Sequence, residues 1–412
     1  MDSRQNVLLL GNFRPTVAIS RRLSSLGYRV IVTRDKGGLA AASRFTAEVW
    51  DAPKAAKDPG FFDCLAEFLA RRPEITIVVP VEEAYVLGLA QNRAKLPPDR
   101  IYATPSDAVV TTSLDKVMML EVAGRAGIPS APAEVVETME QITAAAARIG
   151  FPLVVRPLSS SQPIAGRKAL IARTEEVLHQ SLTEWPEGHG RLIVQRFIRG
   201  PRYNVDFAAQ KGKVIRAVAT RILRTDAFDG TGIDVCGRTL PMPQDLRAYT
   251  ARMAAELDYT GVGLIQFMVD RERDEISFLE LNPRFNGNTA VPDRAGLELC
   301  RLAIDLARDP DGAETVIESP GGLRHAWFYG DVQGVRQSLK RGMMTRRQVP
   351  AALWQAVRDA VTADFHVIWA WHDPLPGISQ FTNTLRNALR KRAGKAGAPR
   401  EEADRAGKPR ET

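Results

Sequence analysis

The run from Ile276 to Phe285 restricts the fold of this chain more than any other stretch, because it reads as a buried strand with two polar side chains set into it. Ile276, Phe278, Leu279 and Leu281 supply the apolar character, and Glu280 and Asn282 interrupt it two residues apart. Side chains two apart on a strand point to the same face. A carboxylate and an amide oxygen placed together on such a surface require a partner, since burying them unpaired is costly. A hard divalent cation such as Mg²⁺ takes oxygen ligands of this kind and commonly shares them with phosphate groups. Arg284 follows directly, a fixed donor fork suited to phosphate or carboxylate oxygens. The same residues also read, more plainly, as a strand end with a capping Asn, a Pro stop and a surface Arg. The rest of the chain decides between the two.

The chain of 412 residues is long enough for about two to three domains, each with its own core. Its apolar and charged fractions are those of an ordinary globular protein, and no apolar run approaches the length of a transmembrane helix. Val7 to Leu10 is too short for a signal-peptide core and reads as a strand. Cys64, Cys236 and Cys300 are far apart, which argues for a reducing, cytoplasmic setting and against a metal cluster. The net charge of +8 is concentrated at the end: Arg386 to Thr412 holds nine Lys/Arg against four Asp/Glu. The body shows no aromatic-interleaved basic stripe, so a nucleic-acid partner is not expected. The tail reads as disordered by composition and leaves room for weak contact with an acidic lipid surface.

In order, Asn6 to Thr33 spells strand, loop, helix, strand, one βαβ unit of a parallel sheet. Only Gly11 stands in its turn, so the three-glycine dinucleotide fingerprint is missing. Ile75 to Pro80 is a further buried strand leading to Glu82 and Glu83, which read equally as ligand-facing acids or as charges complementing a helix N-terminus. Ser113-Leu114-Asp115-Lys116 opens a helix that Gly127-Ile128-Pro129 ends, and Leu153 to Pro157 is an apolar strand carrying Arg156. A cation closing a buried strand calls for an anion. Tyr203–Ala209 and Val214–Arg221 flank Lys211-Gly212-Lys213, a hairpin signal. Arg216 and Arg224 near that second strand read as solvent-facing or as anion-binding with equal ease. A helix over Asp245–Leu257 and a strand over Leu264–Val269 then lead into the opening stretch.

Glu280-Leu281-Asn282-Pro283-Arg284, the Asp115-Lys116 helix and Val154-Val155-Arg156-Pro157, in this order, resemble the ATP-grasp superfamily, and within it the carboligase (carboxylate–amine ligase-like) branch. The resemblance implies an α/β chain, α+β in its core: an N-terminal parallel-sheet pre-grasp domain over 1–104 and an ATP-grasp core over 105–310 with a hinge near 195–200. A C-terminal extension over 311–385 and a basic tail over 386–412 follow. It further implies ATP and Mg²⁺ as cofactors. Lys116 and Arg156 would contact the phosphates, and Ser160 and Ser161 would lie in the loop covering them. Gln195, Arg196, Phe197 and Ile198 would border the adenine, and Glu280, Asn282 and Gln266 would face the metal. Arg221 and Arg284 would neutralise charge developing in the reaction. The chain departs from the family at Arg156 (usually Lys), at Arg196 (often Glu), in a flap with serines in place of glycines, and at Gln266 (usually a carboxylate). The last departure predicts a weakened second metal position.

The activity implied is an ATP- and Mg²⁺-dependent ligase that activates a small-molecule carboxylate as an acyl phosphate and joins it to an amine or thiol. A kinase-like outcome uses the same groups. The alternative is a degenerate ATP-grasp protein that binds nucleotide as a scaffold or regulator. A homodimer is compatible with either. His366 and His372, beside Trp369 and Trp371, read as packed residues.

Overall fold

The computed structural model describes residues 5–34, 38–158, 163–164, 167–312 and 314–396. Strands covered on both faces run continuously in Val, Ile and Leu, and the N-terminal region is built from such strands. β1 (Asn6–Leu10), β2 (Arg29–Thr33), β3 (Glu48–Trp50), β4 (Ile75–Pro80) and β5 (Ile101–Tyr102) form a parallel sheet in the order β3-β2-β1-β4-β5. The strand order reverses between β1 and β4, the place where open α/β sheets bind ligands at their carboxyl ends. Gly11 leaves β1 at φ +125°, and a Cβ there would sit 3.3 Å from the Glu82 carboxylate beyond β4. The two loops therefore touch, and only glycine fits between them.

Two further sheets form the core. β6 (Ala133–Val136), β7 (Leu153–Pro157), β8 (Leu170–Ala172) and β9 (Leu192–Arg196) make a small antiparallel sheet in the order β6-β9-β7-β8. Leu153, Val155, Leu192 and Val194 pack beneath it on Ile142 and Leu178 of two covering helices. The large sheet holds β10 (Arg202–Gln210), β11 (Lys213–Thr225), β12 (Asp234–Leu240), β13 (Gly261–Asp270), β14 (Glu275–Asn282), β15 (Ile317–Glu318), β16 (Arg324–Ala326) and β17 (Phe365–His366). Its order is β14-β13-β10-β11-β12-β16-β17, with β15 beside β11. The expected hairpin joins β10 to β11, with Lys211 and Gly212 at positive φ as a tight turn requires.

The two faces of the large sheet do different work. Tyr203, Val205, Phe207, Ile265, Phe267 and Phe278 pack against helices Lys116–Arg125 and Gln244–Glu256. On the other face, Ala208, Val218 and Val262 join helix Leu299–Arg308 and the N-terminal sheet in one continuous core. The C-terminal region is woven into this arrangement, since β15, β16 and β17 all belong to the large sheet. Asp373, nearly sealed from solvent, accepts hydrogen bonds from Arg21 Nε at 2.9 Å, Ser43 Oγ at 2.7 Å and the Arg44 amide at 3.0 Å, tying that region back to the N-terminal sheet. The last helix, Leu375–Ala396, continues past Arg386 into the stretch expected to be disordered. Its Ala, Leu, Arg and Lys are strong helix formers, a local preference that bulk composition does not register.

Arg216 and Arg224 are both committed to ion pairs. Arg216 is buried against Glu314, and Arg224 bridges the buried Asp331 and Asp359. His372 packs edge-on against Phe45.

Candidate active site

Strand register assembles the site. Gln266 lies opposite Glu280 on β14 and opposite Asn204 on β10, and Asn204 lies opposite Thr220 on β11. Directly opposed residues share a face, so Thr220, Asn204, Gln266 and Glu280 form one polar row across four strands. Val218, Asp206, Leu264 and Asn282 form the next row. Asn282 Nδ2 donates to Glu280 Oε1 at 3.0 Å, and Arg284 donates to Asn282 Oδ1 at 3.2 Å. Gln266 Nε2 donates to Asn204 Oδ1 at 2.9 Å.

Cations converge on Glu280. Lys116 starts a helix whose N-cap, Asp115, accepts from the amides of Val117 and Met118, fixing where that helix begins. Lys116 Nζ donates to the Pro157 carbonyl at 2.7 Å. Burial, with Arg156 nearby, pulls its pKa down to about 8. Arg156 on β7 donates to Gln195 at 3.2 Å and reaches the Leu279 carbonyl on β14 at 3.3 Å, so it spans the two sheets of the core. Burial lowers its pKa and Glu280 opposes that shift. Lys168 keeps solvent contact, and desolvation within the cleft lowers its pKa as well. Burial alone would raise the Glu280 carboxyl. Lys116, Arg156, the Asn282 hydrogen bond and Lys168 outweigh it and hold Glu280 below its ordinary value, ionised.

A second cluster, this one buried, lies where helix Arg14–Ser25, the core and the C-terminal region meet. Arg14 stacks on Trp327 with 4.2 Å from its guanidinium carbon to the ring centre, and donates to the Asp234 carbonyl at 3.2 Å. Asn288 donates to the Asp234 carboxylate and lies 3.2 Å from His325 Nε2. Burial would raise Asp234, but Arg14, Arg202 and His325 hold it below the usual carboxylate range. His325 itself is driven down to about 4 by burial and is neutral. Asp206 accepts from Asn286 at 3.2 Å, and burial raises its pKa to about 8, so it is mostly protonated at neutral pH.

The structure brings together Lys116, Arg156, Gln195, Gln266, Glu280, Asn282 and Arg284. It does not bring Arg221 to them: Arg221 is exposed and opposite Tyr203, on the face packed against the helices. A single position along β11 decides this, because strand side chains alternate faces. Arg196 ends β9, and Phe197 and Ile198 follow it. The Arg196 and Phe197 amides are bonded to the Pro132 and Pro152 carbonyls, and the Arg196 side chain pairs with Glu275. Ser160 and Ser161 lie outside the described residues. Sequence reasoning passed over Lys168, Arg14, Asp234, Asn288 and His325. The only local signal was Asn286 and Asn288 at the strand-like spacing of two in a polar loop.

A divalent cation fits the donor set. Glu280 is an ionised carboxylate, Asn282 offers an amide oxygen beside it, and Gln266 stands directly across on β13. Among the described residues no three His, Cys, Asp or Glu side chains gather as a metal site. That matches a Mg²⁺ held by one carboxylate and shared with phosphates better than an all-protein cage.

Fold and site define an ATP-grasp protein. Residues 115–312, just under half of the chain, match the family of the carbamoyl-phosphate synthase L chain ATP-binding domain, and this stretch is an ATP-grasp domain. The carbamoyl phosphate synthase large chain of Methanothermobacter thermautotrophicus is 28% identical over 244 residues, 56% of this chain and 21% of that relative. A D-alanine–D-alanine ligase of Pseudomonas entomophila is 25% identical over 210 residues, 48% of this chain and 64% of that relative. The chain thus spans about a fifth of the length of the synthase large chains it matches. Among solved structures, the biotin carboxylase domain of Hydrogenobacter thermophilus 2-oxoglutarate carboxylase, crystallised with MgADP and bicarbonate, superposes with a TM-score of 0.62 at 17% identity, covering 76% of this chain and 71% of that one. An N5-carboxyaminoimidazole ribonucleotide synthetase in complex with ADP gives 0.61 at 14% identity, covering 82% and 85%. These likenesses share the α/β fold with its N-terminal parallel sheet.

Proposed function

We propose that this protein is an ATP- and Mg²⁺-dependent ligase that activates a small-molecule carboxylate as an acyl phosphate and joins it to an amine. The observation that carries the reading is the charge balance at Glu280, one ionised carboxylate ringed by Lys116, Arg156 and Lys168 with Arg284 two residues beyond Asn282. Partly desolvated cations in excess of their anions favour an anionic ligand, and a triphosphate sharing a divalent cation with Glu280 answers that need. Lys116 and Arg156 would hold its phosphates, and Gln195 to Ile198 would border the base. Glu280 and Asn282 would hold Mg²⁺, which screens phosphoryl charge when bound. Arg284, which donates to Asn282 and to the Phe285 carbonyl, would face a substrate carboxylate. Such a site works by positioning and electrostatics, as phosphoryl transfer requires.

The carbamoyl phosphate synthase, the D-alanine–D-alanine ligase and the ribonucleotide synthetase, enzymes named for C–N bond formation, support that reaction class. A cytoplasmic setting, a small-molecule acceptor and a homodimer go with the same reading. A second reading, nucleotide binding without turnover, is favoured by one observation, the neutral Gln266 tied to Asn204 where a carboxylate would strengthen a second metal position. The test is ADP and phosphate release with Mg²⁺ across a panel of amino acids and small carboxylates. Amine-dependent release that Glu280→Gln abolishes supports the ligase. Nucleotide binding with no release on any pair supports the scaffold.

A further inference from the structure

The C-terminal helix is amphipathic the wrong way round for a soluble protein. Surface helices bury an apolar stripe and show polar residues to water. Here Gln380 accepts from Trp327 Nε1 at 2.8 Å, Thr384 meets the Tyr329 hydroxyl, and Pro376 and Gly377 are buried. The polar side of the helix faces the protein. Leu375, Ile378 and Leu385 lie outward, 54%, 44% and 62% exposed, and Phe381, 49% exposed, rests edge-on against Tyr329. They recur three to four residues apart and so share one stripe of the helix. Trp371, 87% exposed, stands just before it, stacked edge-on against Trp369. Nine of the sixteen exposed large apolar side chains among the described residues fall between Leu353 and Leu385. Clustering of this kind marks an interaction surface.

The charge of the same segment selects the partner. Leu375 to Ala396 contains five Lys/Arg and no Asp or Glu, whereas the residues beyond it balance four Lys/Arg with four Asp/Glu, so the positive charge belongs to the helix itself. A largely outward apolar stripe, an exposed Trp at its start and charged residues that are all cationic together describe a helix that lies in the interface of an anionic bilayer. No helix of the described residues is long and apolar enough to cross a membrane. We infer that helix Leu375–Ala396, with Trp371, is a surface anchor for membranes rich in anionic phospholipid. The inference is independent of the catalytic reading, since none of these residues reaches Glu280.

The experiment uses the full chain with vesicles of phosphatidylcholine, with and without phosphatidylglycerol. Expected are co-flotation with the anionic vesicles and binding at least about tenfold weaker to the neutral ones. Trp371 emission should shift to the blue, and that shift should vanish in Trp371→Phe. Ile378→Glu with Leu385→Glu should abolish binding with the cationic residues of the helix intact, because both side chains are exposed. An unchanged melting temperature shows that this variant folds. Arg386→Glu with Lys391→Glu should weaken binding to anionic vesicles alone. The inference is overturned by the absence of flotation on anionic vesicles, or by flotation that survives the Ile378/Leu385 change. It is equally overturned by a dimer that this change dissociates and that leaves vesicles untouched, which would make the stripe a contact between copies.

Discussion

Lys116 is the group whose protonation most directly reports what the cleft binds. Its pKa near 8 in the ligand-free protein follows from lost hydration and from Arg156, with Glu280 the main opposing charge. A lysine whose folded pKa lies below its unfolded value disfavours folding while it is charged. That cost is present below about pH 8 and fades as pH rises toward about 10.5. A polyanion in the cleft reverses the balance and restores an ordinary lysine pKa. At pH 9 about one free protein in ten carries the charge, so nucleotide binding takes up about 0.9 proton, against about 0.1 at pH 7. The same linkage makes binding about tenfold weaker at pH 9 than at pH 7. Calorimetry in two buffers of different ionisation enthalpy measures the uptake, and ATP carries no titrating proton of its own at the higher pH. Lys116→Arg should bind with little pH dependence, because arginine stays charged. Uptake at pH 9 that stays near its pH 7 value, or that persists in Lys116→Met, would refute the argument.

Four other outcomes follow from named contacts. Glu280→Gln should lower turnover by at least about a hundredfold, read by ADP release, while leaving three cations around a neutral amide. Gln266→Glu should lower the Mg²⁺ concentration needed for half-maximal rate, and an unchanged requirement would place Gln266 away from the metal. Arg284→Ala should depress activity strongly, whereas Arg221→Ala, on the opposite face of β11, should change it less than about twofold; equal losses would contradict the register. Asp206→Asn should raise the melting temperature, with the gain growing from pH 5 to pH 8. The reason is that a carboxyl with a raised folded pKa contributes stability at low pH that is lost as pH approaches about 8.

Much of the site was legible because it sits on periodic elements. Glu280, Asn282 and Gln266 lie on strands whose alternation fixes their face, and Asp115 marks the start of the Lys116 helix by its cap. Arg221 shows the limit of the same reasoning. Nothing local tells which face of β11 meets the cleft, and only pairing with Tyr203 decides it. Lys168, Arg14, Asp234 and His325 were illegible for a different reason. Arg14 opens helix Arg14–Ser25, Asp234 and His325 lie on β12 and β16, and Lys168 stands beyond β7, so no local pattern links them. The reach of the C-terminal region into the large sheet was hidden likewise, because β15, β16 and β17 have two or three residues each and carry no usable period.

β16 has a consequence for anyone dissecting this protein. It covers the outer edge of β12 and carries the His325 that closes over Asp234 and Asn288. A chain cut after residue 312 would keep Lys116, Arg156 and Lys168 yet bare the edge of β12, an open template for pairing with neighbours. Such a fragment should aggregate on expression. The minimal autonomous unit therefore extends at least to Asp373, whose grip on Arg21 and Ser43 fastens the end of the polypeptide to its beginning.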